Sequence, residues 1–404
     1  MAAESRSLPI RFALPTGGRV DVLIVAGEHS GDEHGARMVR ELRAKQPGLA
    51  IAALGGPELA AAGAQLLHDL TASSVVGFVE VLKNYSAFRA LFNETLRWIA
   101  VHRPRAVCFI DYPGFNLRLA AALRERGLSV TGGGKIKLLY YISPQIWAWK
   151  AKRRFTMARD LDALAVIFPF EVACYADTTL PVEFVGHPFV APDYVSPVSY
   201  DPSGPVLLLP GSRQQAVARI FPVLLGGYAE WAQKSPAVAL YPSEAVKSVL
   251  EKSLWSHEEL EFKKDGVADL KMGSEALPRV SFCKTGIPVA ASAVLTSSGT
   301  MSMQCALAGI PGAIAYRTNP LTYLLARWWV KIEYIGIANL LLKEPMYPEF
   351  IQGAATPKAL AKELHACLED PVRGARTASQ AGRLRVLLSQ PASGTAADWL
   401  ARFL

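Results

Sequence analysis

Along the chain, short uninterrupted apolar runs alternate with longer stretches in which apolar positions recur at helical spacing. Val20–Ala26 is apolar, largely β-branched, and ends at Gly27; a helical pattern follows from about Gly35 to Lys45. Val107–Ile110 is a second such run, followed by a turn at Tyr112-Pro113-Gly114 and a helix to about Arg126. Leu138–Ile142 and Ala163–Phe168 repeat the theme. Runs without polar alternation read as strands buried on both faces, and their alternation with amphipathic helices predicts a parallel sheet covered on both sides.

The pattern breaks between Pro188 and Pro205, where Pro192, Pro197 and Pro202 also fall, a linker signature. It then restarts: Val206–Leu209 reads as a strand, Pro210-Gly211-Ser212-Arg213 as a loop, and a helix follows. Ala237–Tyr241, Arg279–Cys283 and Ala293–Thr296 read as further strands. A chain of 404 residues is too long for one compact domain and comfortable for two. The expected architecture is therefore α/β, with doubly wound, Rossmann-like domains over residues 19–190 and 204–371. Pro371-Val372-Arg373-Gly374 breaks the last helical region, and the tail 372–404 can return to the first domain. In open α/β sheets ligands bind beyond the carboxyl ends of the strands, so chemistry belongs in the strand-end loops, facing a cleft between two such sheets.

Charge narrows the partners. The 43 basic and 35 acidic side chains leave +8, which favours phosphorylated ligands, acidic lipid or nucleic acid. The 5 cysteines are odd in number, with no CxxC and no zinc spacing, so free thiols in a reducing compartment and no metal are expected. The N-terminus lacks the apolar core of a signal peptide, and the most apolar stretch, 321–342, is interrupted by Arg327, Lys331 and Glu333. These features predict a cytoplasmic protein that can touch a membrane from outside. Nothing resembles a nucleic-acid module.

Five stretches can carry chemistry, each with a plainer reading beside it. Ala26–Asp32 brings Glu28, His29, Ser30 and Asp32 to a glycine-containing strand-to-helix turn; it either approaches a ligand or simply caps the helix. Its spacing is not GxGxxG, so it is no dinucleotide fingerprint. Asp111 directly follows a buried strand, where burial suits a general base, and Asn116 lies on the helix behind it; an Asp that stabilises its own turn looks the same. Tyr140–Lys150, with Ser143 and Trp147, and then Arg153 and Arg154, sets aromatics beside cations for a sugar face and a phosphate, or forms a solvated helix face over core tryptophans. Gly211, Ser212 and Arg213 before a helix can hold a diphosphate, though they are not a Walker loop. Ser298, Gly299 and Thr300, with Gln304 behind them, can cradle phosphate or ribose or be a plain turn. Beyond these, Tyr316, Arg317, Tyr323, Arg327, Trp328, Trp329 and Lys331 interleave aromatics with cations, as suits a headgroup zone or a core helix with snorkelling arginines. Asn339, Glu349 and Gln352 are polar residues in apolar surroundings.

Taken in order, these loops resemble bacterial lipid-A-disaccharide synthases. The resemblance runs from about Val20 to Gln352. It rests on AGEHSGDEHGA (26–36), VGFVEVL (76–82), IDYPGFN (110–116), YYISPQIWAWK (140–150), FVGHP (184–188), LLPGSR (208–213), SSGTMSMQ (297–304), AYR (315–317), NLL (339–341) and PEFIQ (348–352). It implies a GT-B fold, two Rossmann-like domains with acceptor in the first and nucleotide-sugar donor in the second. It implies metal- and cofactor-independent, inverting transfer of 2,3-diacylglucosamine from UDP to the 6-hydroxyl of 2,3-diacylglucosamine 1-phosphate (lipid X), at the inner face of the cytoplasmic membrane.

By the same resemblance Asp111 is the acceptor's base, with Glu28 and Asp32 as further catalytic acids. Ser30, Asn116, Ser143, Trp147, Lys150, Arg153 and Arg154 contact the acceptor. Gly211, Ser212, Arg213, Ser298, Gly299, Thr300, Gln304, Tyr316, Arg317, Asn339 and Glu349 hold the donor. The chain departs from the family at Gly114 and Gln304, where acids are usual, and at Ala216, where Glu is usual. His29 is a histidine after the first strand that the family does not need. These departures leave two alternatives, a paralogue using another donor or lipid acceptor, and a binding protein without turnover.

Overall fold

A computed structural model describes residues 10–72, 85–231, 235–255, 260–262, 267–272, 275–276, 280–319, 323 and 333–404. Two compact units divide them: residues up to Pro188 with Gln390–Leu404, and Phe189–Ser389.

The first unit is built on a parallel sheet of 7 strands, in the order β3-β2-β1-β4-β5-β6-β7. The strands are β1 (Val22–Ala26), β2 (Ile51–Gly55), β3 (Gln65–Asp69), β4 (Ala106–Ile110), β5 (Lys137–Tyr141), β6 (Ala163–Val166) and β7 (Val182–Phe184). β1 and β4 are wholly buried, which is why they read as unbroken apolar runs. The order reverses beside β1, so the gap between the carboxyl ends of β1 and β4 is a topological switch point, with Ala26 paired to Ile110. The helix after β1 runs from His29 to Lys45, starting earlier than its apolar spacing suggests because Gly31 and Gly35 contribute no side chain to the pattern. Gly35 allows close packing: a Cβ there would lie 2.9 Å from Ile110 Cδ1.

The C-terminal tail divides. Asp370 caps a helix from Pro371 to Leu388 that belongs to the second unit, with proline at its first position. Only the last stretch joins the first unit, where Trp399 is fully buried and Arg402 meets Glu183 at 2.6 Å.

The second unit carries β8 (Val198–Tyr200), β9 (Val206–Leu209), β10 (Ala237–Tyr241), β11 (Leu260–Phe262), β12 (Val267–Met272), β13 (Glu275–Ala276), β14 (Val280–Lys284), β15 (Val289–Ala291), β16 (Ala293–Thr296), β17 (Gly312–Tyr316) and β18 (Glu349–Ile351). Its large sheet runs β11-β12-β14-β10-β9-β16-β17-β18. From β14 to β18 all pairs are parallel, whereas β12 joins β14 antiparallel, an edge that the expected all-parallel pattern did not contain. Here the order reverses at β9, and the switch point lies between β9 and β16, with Leu209 paired to Thr296. Each unit has its own apolar core, one centred on β1, β4 and β5, the other on β9, β16 and the helices Gln214–Trp231 and Pro357–Glu369.

Candidate active site

At the first switch point two loops touch. Gly27 ends β1, and a Cβ there would lie 2.1 Å from the Tyr112 ring, so only glycine lets that ring cross the first loop. Glu28, His29 and Ser30 are half-buried at this rim. Asp111 and Tyr112 sit at φ 44° and 49°, a left-handed region that non-glycine residues rarely enter. Three bonds hold the turn. The Asp111 N–H donates to Tyr141 O at 3.0 Å. Its carbonyl accepts from Tyr140 Oη at 2.5 Å and Asn116 Nδ2 at 2.7 Å. The strained backbone fixes where the half-buried Asp111 carboxyl stands.

Two expected site residues face inward instead. Asp32 is only 1% exposed; its carboxylate accepts from the backbone N–H of Gly56 (2.8 Å), Glu58 (2.9 Å) and Leu59 (3.2 Å), clamping the start of the helix Pro57–Ala61. Burial raises its pKa and these three donors pull against that rise. This geometry corrects the expectation of a catalytic Asp32: its lone pairs serve the fold. Asn116 is fully buried with its amide on main-chain carbonyls, so it positions Asp111 rather than meeting an acceptor.

The segment after β5 is also mixed. Ser143 is buried against Tyr175 Oη at 2.7 Å, so it too is an interior residue. Arg154 forms a two-pronged pair with Asp177, at 2.7 and 2.5 Å. Lys150 lies over the exposed Trp149 ring at 4.3 Å, and Arg153 at 5.7 Å. The indole N–H of Trp147 donates to Glu171 at 3.2 Å. Glu171 is a buried acid that the sequence reading missed, sixty residues from Asp111 and signalled there only by the short run Phe168-Pro169-Phe170-Glu171 after a strand.

At the second switch point the loops are open. Gly211 takes φ 106°, and Gly211, Ser212 and Arg213 are exposed just before the helix Gln214–Trp231. The neighbouring loop is bound to this one through Ser297 N–H to Leu209 O at 2.8 Å. It runs through Ser298 to an extended Gly299, which starts the helix Thr300–Ala308. Two helix N-termini thus begin beyond adjacent strands, with Arg213 beside one of them: a suitable seat for a diphosphate.

Gln304 lies one turn in, 6% exposed; its Nε2 donates to Tyr194 Oη at 2.5 Å, and its Oε1 has no hydrogen-bond partner among the described residues. Asn339 and Glu349 correct another expectation. Asn339 is fully buried and exchanges bonds with Tyr347, while Glu349 accepts from Asn339 and from the N–H of Ile335 and Gly336. Both shape the loop at β17 and β18 rather than offer contacts. Tyr316 is half-buried, and Arg317 donates to Ala355 O at 2.6 Å. The expectations on 76–82, Arg327, Trp328, Trp329 and Lys331 lie outside the described residues. Among the described residues no cluster of metal-ligating side chains occurs and no helix is long and apolar enough to cross a membrane.

Two Rossmann-like units with polar loops at both switch points define the GT-B class of α/β proteins. The chain is similar in fold to a glycotransferase of kitacinnamycin (TM-score 0.54, 15% identity, covering 96% of this chain and 99% of that one). It is likewise similar to the UDP-GlcNAc 2-epimerase from Neisseria meningitidis bound to UDP-GlcNAc (TM-score 0.55, 11% identity, 91% and 97% covered). Sequence goes further: residues 22–401 match the profile described as lipid-A-disaccharide synthetase. The chain is 35% identical to a lipid-A-disaccharide synthase of Geobacter metallireducens (90% of this chain, 92% of that protein). It is 34% identical to lipid-A-disaccharide synthase 1 of Legionella pneumophila subsp. pneumophila (93% and 94%). This chain belongs to the lipid-A-disaccharide synthase family, and it is a glycosyltransferase.

Proposed function

We propose that the protein joins two acylated glucosamines, taking 2,3-diacylglucosamine from UDP and placing it on the 6-hydroxyl of 2,3-diacylglucosamine 1-phosphate. Asp111 removes the hydroxyl proton. The freed oxygen attacks C1 of the donor sugar from the face opposite the diphosphate, the bond from C1 to the phosphate oxygen breaks, and UDP leaves with the electron pair. The configuration inverts and the new linkage is β-1,6. Arg213, Gly211, Ser212 and the amides at Ser298–Thr300 take up the charge on the departing diphosphate. The first unit serves the acceptor and the second the donor. What supports this most is Asp111, a carboxylate at a switch point on a strained turn anchored by three hydrogen bonds. Peripheral contact with the inner face of the cytoplasmic membrane belongs to the same reading; exposed Trp149, Phe155 and Phe170 among Lys150 and Arg153 suit an anionic, acylated surface.

The test is disaccharide formation from the two acylated monosaccharides. Asp111→Asn is expected to lower kcat on the order of 10²–10⁴-fold with an unchanged Tm; undiminished turnover removes the proposed base. One observation favours a second reading. Gln304 is neutral and already engaged with Tyr194, so a different nucleotide sugar is the alternative. Turnover with another sugar nucleotide, and none with the UDP-diacylglucosamine, selects it.

A further inference from the structure

Trp149, Phe155 and Phe170 are exposed, and among the described residues no other Trp or Phe is. Exposed Val172 shares the turn Pro169–Tyr175 with Phe170. These side chains come from two segments, 142–155 after β5 and 167–177 after β6. β4, β5 and β6 are neighbours in a parallel sheet, so both segments leave the same edge as Asp111. Contacts join them. Trp147 meets the Phe170 ring edge-on at 5.4 Å. Buried Glu171 accepts the Trp147 indole N–H and the Phe168 backbone N–H, each at 3.2 Å. Arg154 spans the two segments: its guanidinium lies 4.3 Å from the centre of the Phe155 ring and donates twice to Asp177, at 2.7 and 2.5 Å.

Cations interleave with these rings. Lys150 and Arg153 lie 4.3 and 5.7 Å from the centre of the Trp149 ring, and Lys152 is exposed beside them. The two segments hold two acids, of which Glu171 is buried and Asp177 exposed. Scattered apolar residues on a surface are ordinary, but contiguous rings rimmed by cations mark an interaction surface. Such rings suit the boundary between headgroups and acyl chains, with the ammonium and guanidinium groups at the level of the phosphates. A second copy of this chain would set the same cations against one another. Single-stranded nucleic acid needs open ring faces for stacking, whereas cations lie over Trp149 and Phe155, and Val172 offers no ring. The Arg154–Asp177 pair stands at the surface, with Asp177 52% exposed. Ion pairs so placed contribute little, and a phosphate can take the carboxylate's place at small cost.

We propose that these two segments are a docking surface for an anionic lipid bilayer, on which Trp149, Phe155 and Phe170 enter the headgroup boundary and Arg154 exchanges the Asp177 carboxylate for a lipid phosphate. This rests on the reading of peripheral membrane contact and adds to it an acid that opposes docking. Asp177 holds Arg154 when no lipid is present and repels a negative surface. It thereby sets how much negative charge a bilayer must carry before the protein settles on it. Because the segments share their edge of the sheet with Asp111, docking brings that edge next to the lipid.

The test is cosedimentation of the full chain with substrate-free vesicles, of phosphatidylcholine alone or mixed with phosphatidylglycerol, at about 0.1 M salt. Wild type is expected on the mixed vesicles and not on the neutral ones. The double variant Trp149→Ala, Phe155→Ala lowers binding about tenfold, and Arg153→Ala about fivefold. Asp177→Asn raises it about fivefold, whereas Glu369→Gln, which removes the same charge from an exposed acid of the second unit, leaves it unchanged. A Tm equal to that of wild type shows each variant to be folded. Suppose wild type takes the mixed vesicles. The proposal then fails if Asp177→Asn binds no more tightly than Glu369→Gln, or if the aromatic double variant binds as wild type does, and membrane contact lies elsewhere on the protein. If wild type takes neither kind of vesicle, the reading of peripheral contact fails with it. Tighter binding of a single-stranded oligonucleotide than of the mixed vesicles makes this a nucleic-acid surface and overturns the proposal.

Discussion

At the end of β4 two consecutive non-glycine residues, Asp111 and Tyr112, hold left-handed φ of 44° and 49°; at the end of β9 the one left-handed position, φ 106°, is Gly211. The first loop is strained, half-buried and over-determined by Tyr140, Asn116 and the Tyr141 carbonyl. The second is exposed and relies on backbone amides. On the proposed mechanism their chemical tasks differ in tolerance. A base must stand within a fraction of an ångström of its proton, so rigidity is worth local strain. A diphosphate is met by amides and a cation spread over several atoms, and a loop with little side-chain bulk lets it approach.

Substitutions can break this contrast. The largest stability effect is expected at Asp32. Replacing it by Ala leaves the N–H groups of Gly56, Glu58 and Leu59 without their acceptor and costs about 3 kcal/mol by denaturant titration; a loss below about 0.5 kcal/mol would return Asp32 to the list of catalytic acids. Next come two glycines in the loops that follow β1 and β16. Gly27→Ala drives a methyl into the Tyr112 ring and costs about 1–3 kcal/mol, with a fall in kcat as the Asp111 turn shifts. Gly299→Ala meets open space at an extended φ of −166° and leaves stability within about 0.5 kcal/mol. Equal losses at both sites would mean that the rims are not differently built. A modest gain is expected for Gly114→Asp, which puts a carboxylate into the first turn of the helix Pro113–Glu125 with nothing to clash against and adds about 0.3–1 kcal/mol of stability.

Much of this was legible in the chain because strands buried on both faces leave an unmistakable record. β1, β4, β5, β6, β9, β10 and β16 all appear as unbroken apolar runs, and the loops after β1, β4, β9 and β16 were marked as chemistry for the same reason: they follow such runs. β2, though wholly buried, went unread because Ile51-Ala52-Ala53-Leu54-Gly55 holds only one β-branched residue, and β3 and β18 because they are only half-buried, so that their side chains alternate weakly. β17, Gly312–Tyr316, carries glycine and alanine where a strand signal needs branched or aromatic side chains.

Sequence alone determined the class of fold, several of the buried strands, and which loops would carry polar groups, because burial of apolar area and turn chemistry act locally along the chain. It could not determine which way those polar groups point. Asp32, Asn116, Ser143 and Asn339 look like ligand contacts in one dimension and prove to be interior fasteners, and the half-buried Glu349 holds its own loop. Glu171 looks incidental and is buried, accepting the Trp147 indole N–H and the Phe168 backbone N–H. The direction of a side chain, and the partner that awaits it, depend on residues tens of positions away that only packing brings within hydrogen-bond reach.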